Sequence, residues 1–347
     1  MKKLKIIGII VVLGLVAGGI YIYPKASMYF FGQKTASNTE NVNFYVPTGA
    51  TISEVFDALK EKGIIEDVET FQEYATLRNL KESTLEAGKY VFPKNVMYSK
   101  IVEDLRQGNG EKETQVTFNN ARTKKELAEK IALTIELTEE DILKLITDEK
   151  FTSRYGFTPT TINTMFIPNT YNVYWDITAE DLMAKFAKEY KRFWNTARKA
   201  KAKKMNLSQT EVSILASIVL CETVKMDEAP KIAGVYVNRL ERGIPLDADP
   251  TLIWILGDFT IKRVLNKDKE LDSPYNTYKY RGLPPGPIYI PSVAYIDAVL
   301  NYEKHDYIFF CAKEDFSGYS NFAKTNRQHN INAAKYRKAL NERKIFR

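Results

Sequence analysis

The sequence predicts an α+β protein: a single N-terminal membrane-spanning helix, a small α/β unit, and then a larger mixed α+β domain. Three observations carry that prediction. Lys2, Lys3 and Lys5 precede an uncharged run over residues 6–23. Over residues 42–108 the apolar pattern switches between the alternation of strands and the spacing of helices. Beyond Gly108-Asn109-Gly110-Glu111, capped amphipathic stretches alternate with polar, turn-rich ones.

As a helix, residues 6–23 would be about 27 Å long, close to the hydrocarbon thickness of a bilayer. A cleaved signal peptide would instead show a short apolar core and a small-x-small site. Here the run ends in Tyr21, Ile22, Tyr23, Pro24 and Lys25, which suit an interfacial anchor. Residues 1–5 are therefore expected in the cytoplasm, 6–23 as the anchor, and everything from 24 onward outside, with 24–41 as a polar linker. In the next unit Val42, Phe44 and Val46 alternate as a strand, and Thr51-x-x-Glu54 is a capping box opening a helix that stops at Gly63. A helix over 68–78, a strand around Ala87-Gly88-Lys89-Tyr90-Val91-Phe92 and a helix ending at Gly108 complete it. No catalytic cluster lies within residues 42–108.

From 113 to 347 the chain reads as one larger domain. Residues 123–135 and 138–146 are amphipathic helices. Residues 185–204 read as a helix rich in Lys and Arg, with Phe186, Tyr190, Phe193 and Trp194 interleaved. A solvated helix with one packed aromatic face explains it, and a basic surface facing an anionic polymer is the alternative. The 347 residues carry 50 Lys+Arg against 43 Asp+Glu, too small an excess to argue for nucleic acid. Two cysteines, two histidines and the absence of a Gly-rich phosphate loop point away from a metal centre or a nucleotide cofactor, and none is expected. Cys221 and Cys311 are read either as a disulfide outside the membrane or as two buried thiols.

The chemistry concentrates after Ser208. Ser208-x-x-Glu211 opens a helix over 210–223 whose apolar stripe includes Leu215, Ile218 and Val219. Glu222 follows on the same face. A carboxylate there is either desolvated, with the raised pKa a general acid needs, or turned out to solvent at the helix end. Helix geometry alone leaves both open. Asp227 reads as the cap of a helix carrying Asn238-Arg239 and ending at Gly243, and Asp249-Pro250-Thr251 as a cap with proline at the first helical position. Tyr275-Asn276-Thr277-Tyr278 offers ring faces and hydrogen bonds suited to a sugar, followed by the rigid Gly282-Leu283-Pro284-Pro285-Gly286 turn.

In this order these stretches resemble the membrane-anchored endolytic murein transglycosylases, the YceG-like proteins. The matching segments are Leu215-Ala216-Ser217-Ile218-Val219 with Glu222-Thr223, Val237-Asn238-Arg239-Leu240, Asp249-Pro250-Thr251, Tyr275-Asn276-Thr277-Tyr278, Gly282–Gly286, Pro291, Phe322 and His329-Asn330. Upstream, Phe166-Ile167-Pro168-Asn169-Thr170-Tyr171 and Ala87-Gly88-Lys89-Tyr90 also match. The resemblance implies a LysM-like domain over 42–108 and a transglycosylase domain over 113–347. It implies cleavage of MurNAc–GlcNAc bonds to 1,6-anhydro ends by Glu222 as the lone acid/base. Asn238, Asp249, Tyr275, Asn276 and Tyr278 would position sugar. Arg239 would hold a lactyl or stem-peptide carboxylate, or serve as an ordinary ion-pair partner. Glycan strands are the implied substrate, membrane peptidoglycan synthases the implied partners, and the outer side of a bacterial inner membrane the implied location. Leu220, Asn169, Ser320 and Asp247 depart from the family pattern. A hydrolytic muramidase using Asp247 or Asp249, and a non-catalytic glycan-binding scaffold, are the rival readings.

Overall fold

The computed structural model describes residues 40–110 and 113–345 and, before them, residues 14, 16, 18–20, 22, 23 and 26. The expected tail and most of the expected anchor and linker lie outside the described residues. Among those described, no helix is long and apolar enough to cross a membrane. The chain divides into two compact units: residues up to 114 with short returns at 134–136 and 172–177, and the remainder. Later chain thus comes back to the first unit, beyond the stretch 108–113.

The first unit follows the expected order: β1 (Val42–Val46), α1 (Ile52–Glu61), α2 (Val68–Leu77), β2 (Gly88–Phe92) and α3 (Tyr98–Gln107). The strands pair antiparallel, Val42 opposite Phe92 and Val46 opposite Gly88. Phe44 and Val46 point inward, as the alternation requires. Both reciprocal bonds of the Thr51–Glu54 capping box form. Phe71 meets Phe56 and Tyr98 edge-to-face, each at 4.9 Å between centroids. From the returning segments, Glu136 accepts both the Thr48 N–H at 2.6 Å and its hydroxyl at 2.7 Å.

Strand β3 (Glu113–Phe118) pairs with β4 (Asn169–Tyr174). The helices that follow are α4 (Lys124–Ala132), α5 (Glu139–Thr147), α6 (Glu149–Ser153), α7 (Ala179–Phe193), α8 (Thr196–Lys204), α9 (Gln209–Glu222), α10 (Ala229–Glu241), α11 (Asp249–Leu256) and α12 (Val293–Leu300). The hairpin β5 (Phe309–Ala312) and β6 (Ser320–Ala323) and helix α13 (Asn326–Glu342) close the chain. Small two-stranded sheets among many helices make the fold α+β. The basic stretch expected as one helix is two. It breaks at Trp194, and Asn195 restarts it by accepting the Arg198 N–H at 3.0 Å.

Helix α9 is the axis of the second unit. Every residue from Val212 to Val219 is buried, so the helix is enclosed all round and packs against α10, α11 and α12. Its start is fixed by the expected Ser208–Glu211 capping box. Ser217 reaches across from it to accept the Ile288 N–H at 3.1 Å, tying the proline-rich turn to the helix.

Candidate active site

Glu222 is the last residue of α9, and Thr223 behind it turns into extended backbone. The side chain is half-buried, between the two alternatives helix geometry leaves open. Tyr236 of α10, itself buried, donates its hydroxyl to Glu222 Oε1 at 2.6 Å. Burial pushes the Glu222 carboxyl up to about 7, the neighbouring Asp249 pushes the same way, and the Tyr236 bond partly offsets them. The negative pole of α9 acts in the same upward direction. Such a carboxyl can both give and take a proton near neutral pH. The Tyr295 hydroxyl donates to the Thr223 carbonyl at 2.8 Å and holds the helix end in place.

Asp249 does not cap α11. It is the first helical residue, with no side-chain cap bond, and its carboxylate accepts the Tyr278 hydroxyl at 2.5 Å. Thr277 brings the two together. Its carbonyl accepts the Asp247 N–H at 3.1 Å and its hydroxyl oxygen accepts the Ala248 N–H at 3.0 Å. The Lys269 ammonium lies 4.5 Å from the Tyr278 ring centre. Surrounding protein raises the Asp249 pKa, while Tyr278 and then Lys269 pull it down. Tyr275 and Tyr278 are both half-buried, with ring surface left for a ligand.

Three residues expected to bind substrate sit differently. Asn276 is fully buried; its amide donates to the carbonyls of Lys269 and Leu271 at 2.9 and 2.7 Å and its oxygen accepts the Tyr278 N–H. Asn238 donates to the carbonyls of His305 and Tyr307 at 2.7 and 2.8 Å. Arg239 is buried, with its guanidinium committed to the carbonyls of Pro245 and Ile308 and to the Asp247 carboxylate. These side chains pin the loops that shape the site, and both amide N–H groups of Asn238 and of Asn276 are spent on the protein. Asp247 adopts a positive φ of 50° to meet Arg239. Gly234 permits the close approach that Asn238 exploits: a Cβ there would lie 2.3 Å from the Glu303 carbonyl oxygen and 2.8 Å from His305 Nε2.

Elsewhere, Leu220 packs on the core around α9. Asn169 is exposed, and Ser320 donates through its N–H and hydroxyl to the buried Glu228 at 2.8 and 3.2 Å. Asp227, expected as a cap, accepts from Tyr319 instead. Cys221 and Cys311 are free thiols, unpaired, and Cys221 is exposed rather than buried. Sequence reasoning missed Tyr236, Lys269 and Glu228. For Tyr236 a signal existed, since a tyrosine on a buried helical face needs a partner for its hydroxyl. Among the described residues, no group of three or more His, Cys, Asp or Glu side chains is placed to hold a metal ion.

Residues 44–335 match the YceG-like family. The chain is 31% identical over 344 residues to the endolytic murein transglycosylase of Bacillus subtilis, covering 95% of this chain and 93% of that protein. It is 25% identical over 367 residues to the endolytic murein transglycosylase of Streptococcus pneumoniae, covering 96% of this chain and 65% of the relative. A crystal structure of a YceG-like protein from Listeria monocytogenes superimposes with a TM-score of 0.56 at 27% identity, over 85% of this chain and 99% of the other.

Proposed function

The chain belongs to the YceG-like family, and from that premise we propose that it is a peptidoglycan lytic transglycosylase cutting MurNAc–GlcNAc β-1,4 bonds within glycan strands. One observation carries the catalytic assignment: a lone glutamate at a buried helix end, half-exposed, held by Tyr236 and poised near pH 7. Protonated Glu222 gives its proton to the glycosidic oxygen as the C1–O bond breaks. The resulting carboxylate takes the proton of the muramyl 6-hydroxyl, whose oxygen closes onto C1. The proton borrowed in the first half-step is returned in the second, and no water is consumed. Tyr236 fixes Oε1, leaving the other oxygen for the sugar. Tyr275 and Tyr278 supply ring faces, while Asn238, Arg239 and Asn276 hold the loops beneath them.

Asp249 supports a second reading, hydrolysis with Asp249 activating a water, because its charge acts on Glu222. The product decides between them. Mass analysis of peptidoglycan digested by the full chain should give 1,6-anhydro-MurNAc ends, and reducing ends would assign hydrolysis. Glu222→Gln should lower the rate by about 10²–10⁴-fold with the fold intact by circular dichroism. Undiminished cleavage by that variant would remove Glu222 from the mechanism.

The remaining assignments rest on the sequence. Residues 6–23 anchor the chain in the inner membrane with the catalytic domain outside, which brings it to nascent strands and the synthases that make them. Residues 42–108 are a LysM-like module that holds glycan; the strand–helix–helix–strand order supports that reading.

A further inference from the structure

The basic segment left unused by the active site carries the next inference. Residues 185–204 contain nine Lys and Arg against Glu189 alone, a net +8 in a chain whose whole formal charge is +7. The residues outside this segment therefore sum to about −1, and the segment alone accounts for the positive balance. The aromatic residues of the segment are occupied inside: Phe186 and Trp194 are buried, and Tyr190 and Phe193 pack on the core. Arg198 is committed to Asp297 and Lys201 to Asn301. Lys188, Lys191, Lys199, Lys203 and Lys204 remain exposed, and among the described residues no carboxylate lies within ion-pair distance of them.

Two concave surfaces adjoin this face. One, about 440 Å³, is lined by Lys199, Lys203, Asn206, Ser208 and Gln209. The other, about 530 Å³, is lined in part by Asn169, Glu189, Arg192, Phe193 and Asn195, with Glu189 paired to Arg192. Lysine charges beside grooves that offer amide and hydroxyl groups fit a chain-like ligand bearing both anions and sugar hydroxyls better than a flat lipid surface. No exposed aromatic or large aliphatic side chain on α8 is available to enter a bilayer. Ser208 and Glu222 stand at opposite ends of α9, about 20 Å apart by helical rise, so the groove at Ser208 is separate from the reacting sugar.

We propose that the α8 face, with the grooves beside it, is a second binding site for peptide-bearing peptidoglycan, its lysines meeting stem-peptide carboxylates on a strand not being cut. The choice of ligand rests on the glycan-cleaving function proposed above. The test uses the full chain in phosphatidylcholine nanodiscs, with purified glycan strands that keep their stem peptides and strands from which the peptides have been removed. Lys199→Gln/Lys203→Gln/Lys204→Gln should bind peptide-bearing strands about tenfold more weakly, with a shallower salt dependence, and peptide-free strands unchanged. The corresponding Lys→Arg triple variant should bind as the parent does. Anhydro-product release from short soluble strands should be unchanged in both, so loss of that activity in the parent chain would fault the function and not this site. Equal binding of peptide-bearing strands by the Gln variant and the parent would overturn the proposal. So would a defect confined to phosphatidylglycerol-containing vesicles, which would assign the face to lipid.

Discussion

The two units bury different things. In the first, nearly everything inside is hydrocarbon or ring, and the buried polar exception among described residues 40–110, Asp104, is paired to Lys100 one helical turn away at 2.6 Å. In the second, Ser217, Glu228, Arg239, Thr251, Asn276 and Thr277 are all buried, and they tie loops to helices around Glu222. The first unit is held by packing that any close-fitting apolar set could supply. The second pins polar loops with side chains whose loss leaves partners unsatisfied, and that is what places a carboxyl in a half-buried position.

The contrast predicts different responses to substitution. The largest stability loss should come from Phe71→Ala, which empties the centre of the edge-to-face cluster and should cost about 3–5 kcal/mol. Hydrogen exchange should accelerate across 42–107 while α9 amides stay protected; loss of protection in α9 as well would mean that the units unfold together. Asn276→Ala should cost less, about 1–3 kcal/mol, but should lower kcat as well, because the Tyr278–Asp249 pair loses its support. Calorimetry beside product release checks both. Unchanged turnover would make Asn276 a stabilising residue only.

The smallest effect is linked to pH. Glu222 ordinarily titrates at 4.5 and here at about 7, so between those values the folded chain holds a proton that the unfolded chain has released. Stability is full below about 4.5 and is lost as pH rises through 7. Glu222→Gln removes that dependence and should be more stable than the parent by about 1 kcal/mol at pH 8, allowing for the solvent that reaches the side chain. The difference should vanish near pH 4.5, read from denaturant midpoints. A difference that persists there would come from packing and not from the proton.

Local signals were legible where the partner lies within a turn. The capping boxes at Thr51 and Ser208 formed both of their bonds, and α9 ended within one residue of its expected limit. The element order of residues 42–108 followed from periodicity together with the Thr51 capping box and the stops at Gly63 and Gly108. What sequence reading missed depends on distant partners. Asn238 is satisfied by carbonyls 67 and 69 residues later, and Arg239 by one 69 residues later. Nothing near Asn238 distinguishes a loop pin from a sugar contact, whereas Arg239 also meets Pro245 and Asp247, six and eight residues on, and so takes the ion-pair role the sequence left open. Asp249 looked like a cap because of the proline after it, yet its partner is Tyr278, 29 residues on. The break between α7 and α8 was available locally in Asn195, a good cap hidden inside a helical pattern.

Gly234 has a consequence for how this chain can change over generations. The atoms a methyl group would strike there include a main-chain carbonyl, which cannot swing aside as a side chain can. Every single-codon replacement of Gly234 is therefore a step downhill unless the strap through Glu303 and His305 has first been rerouted. A rerouted strap would in turn forfeit the carbonyls that Asn238 holds. The three places form a lock with no one-step key: descendants of this protein should alter all of them or none.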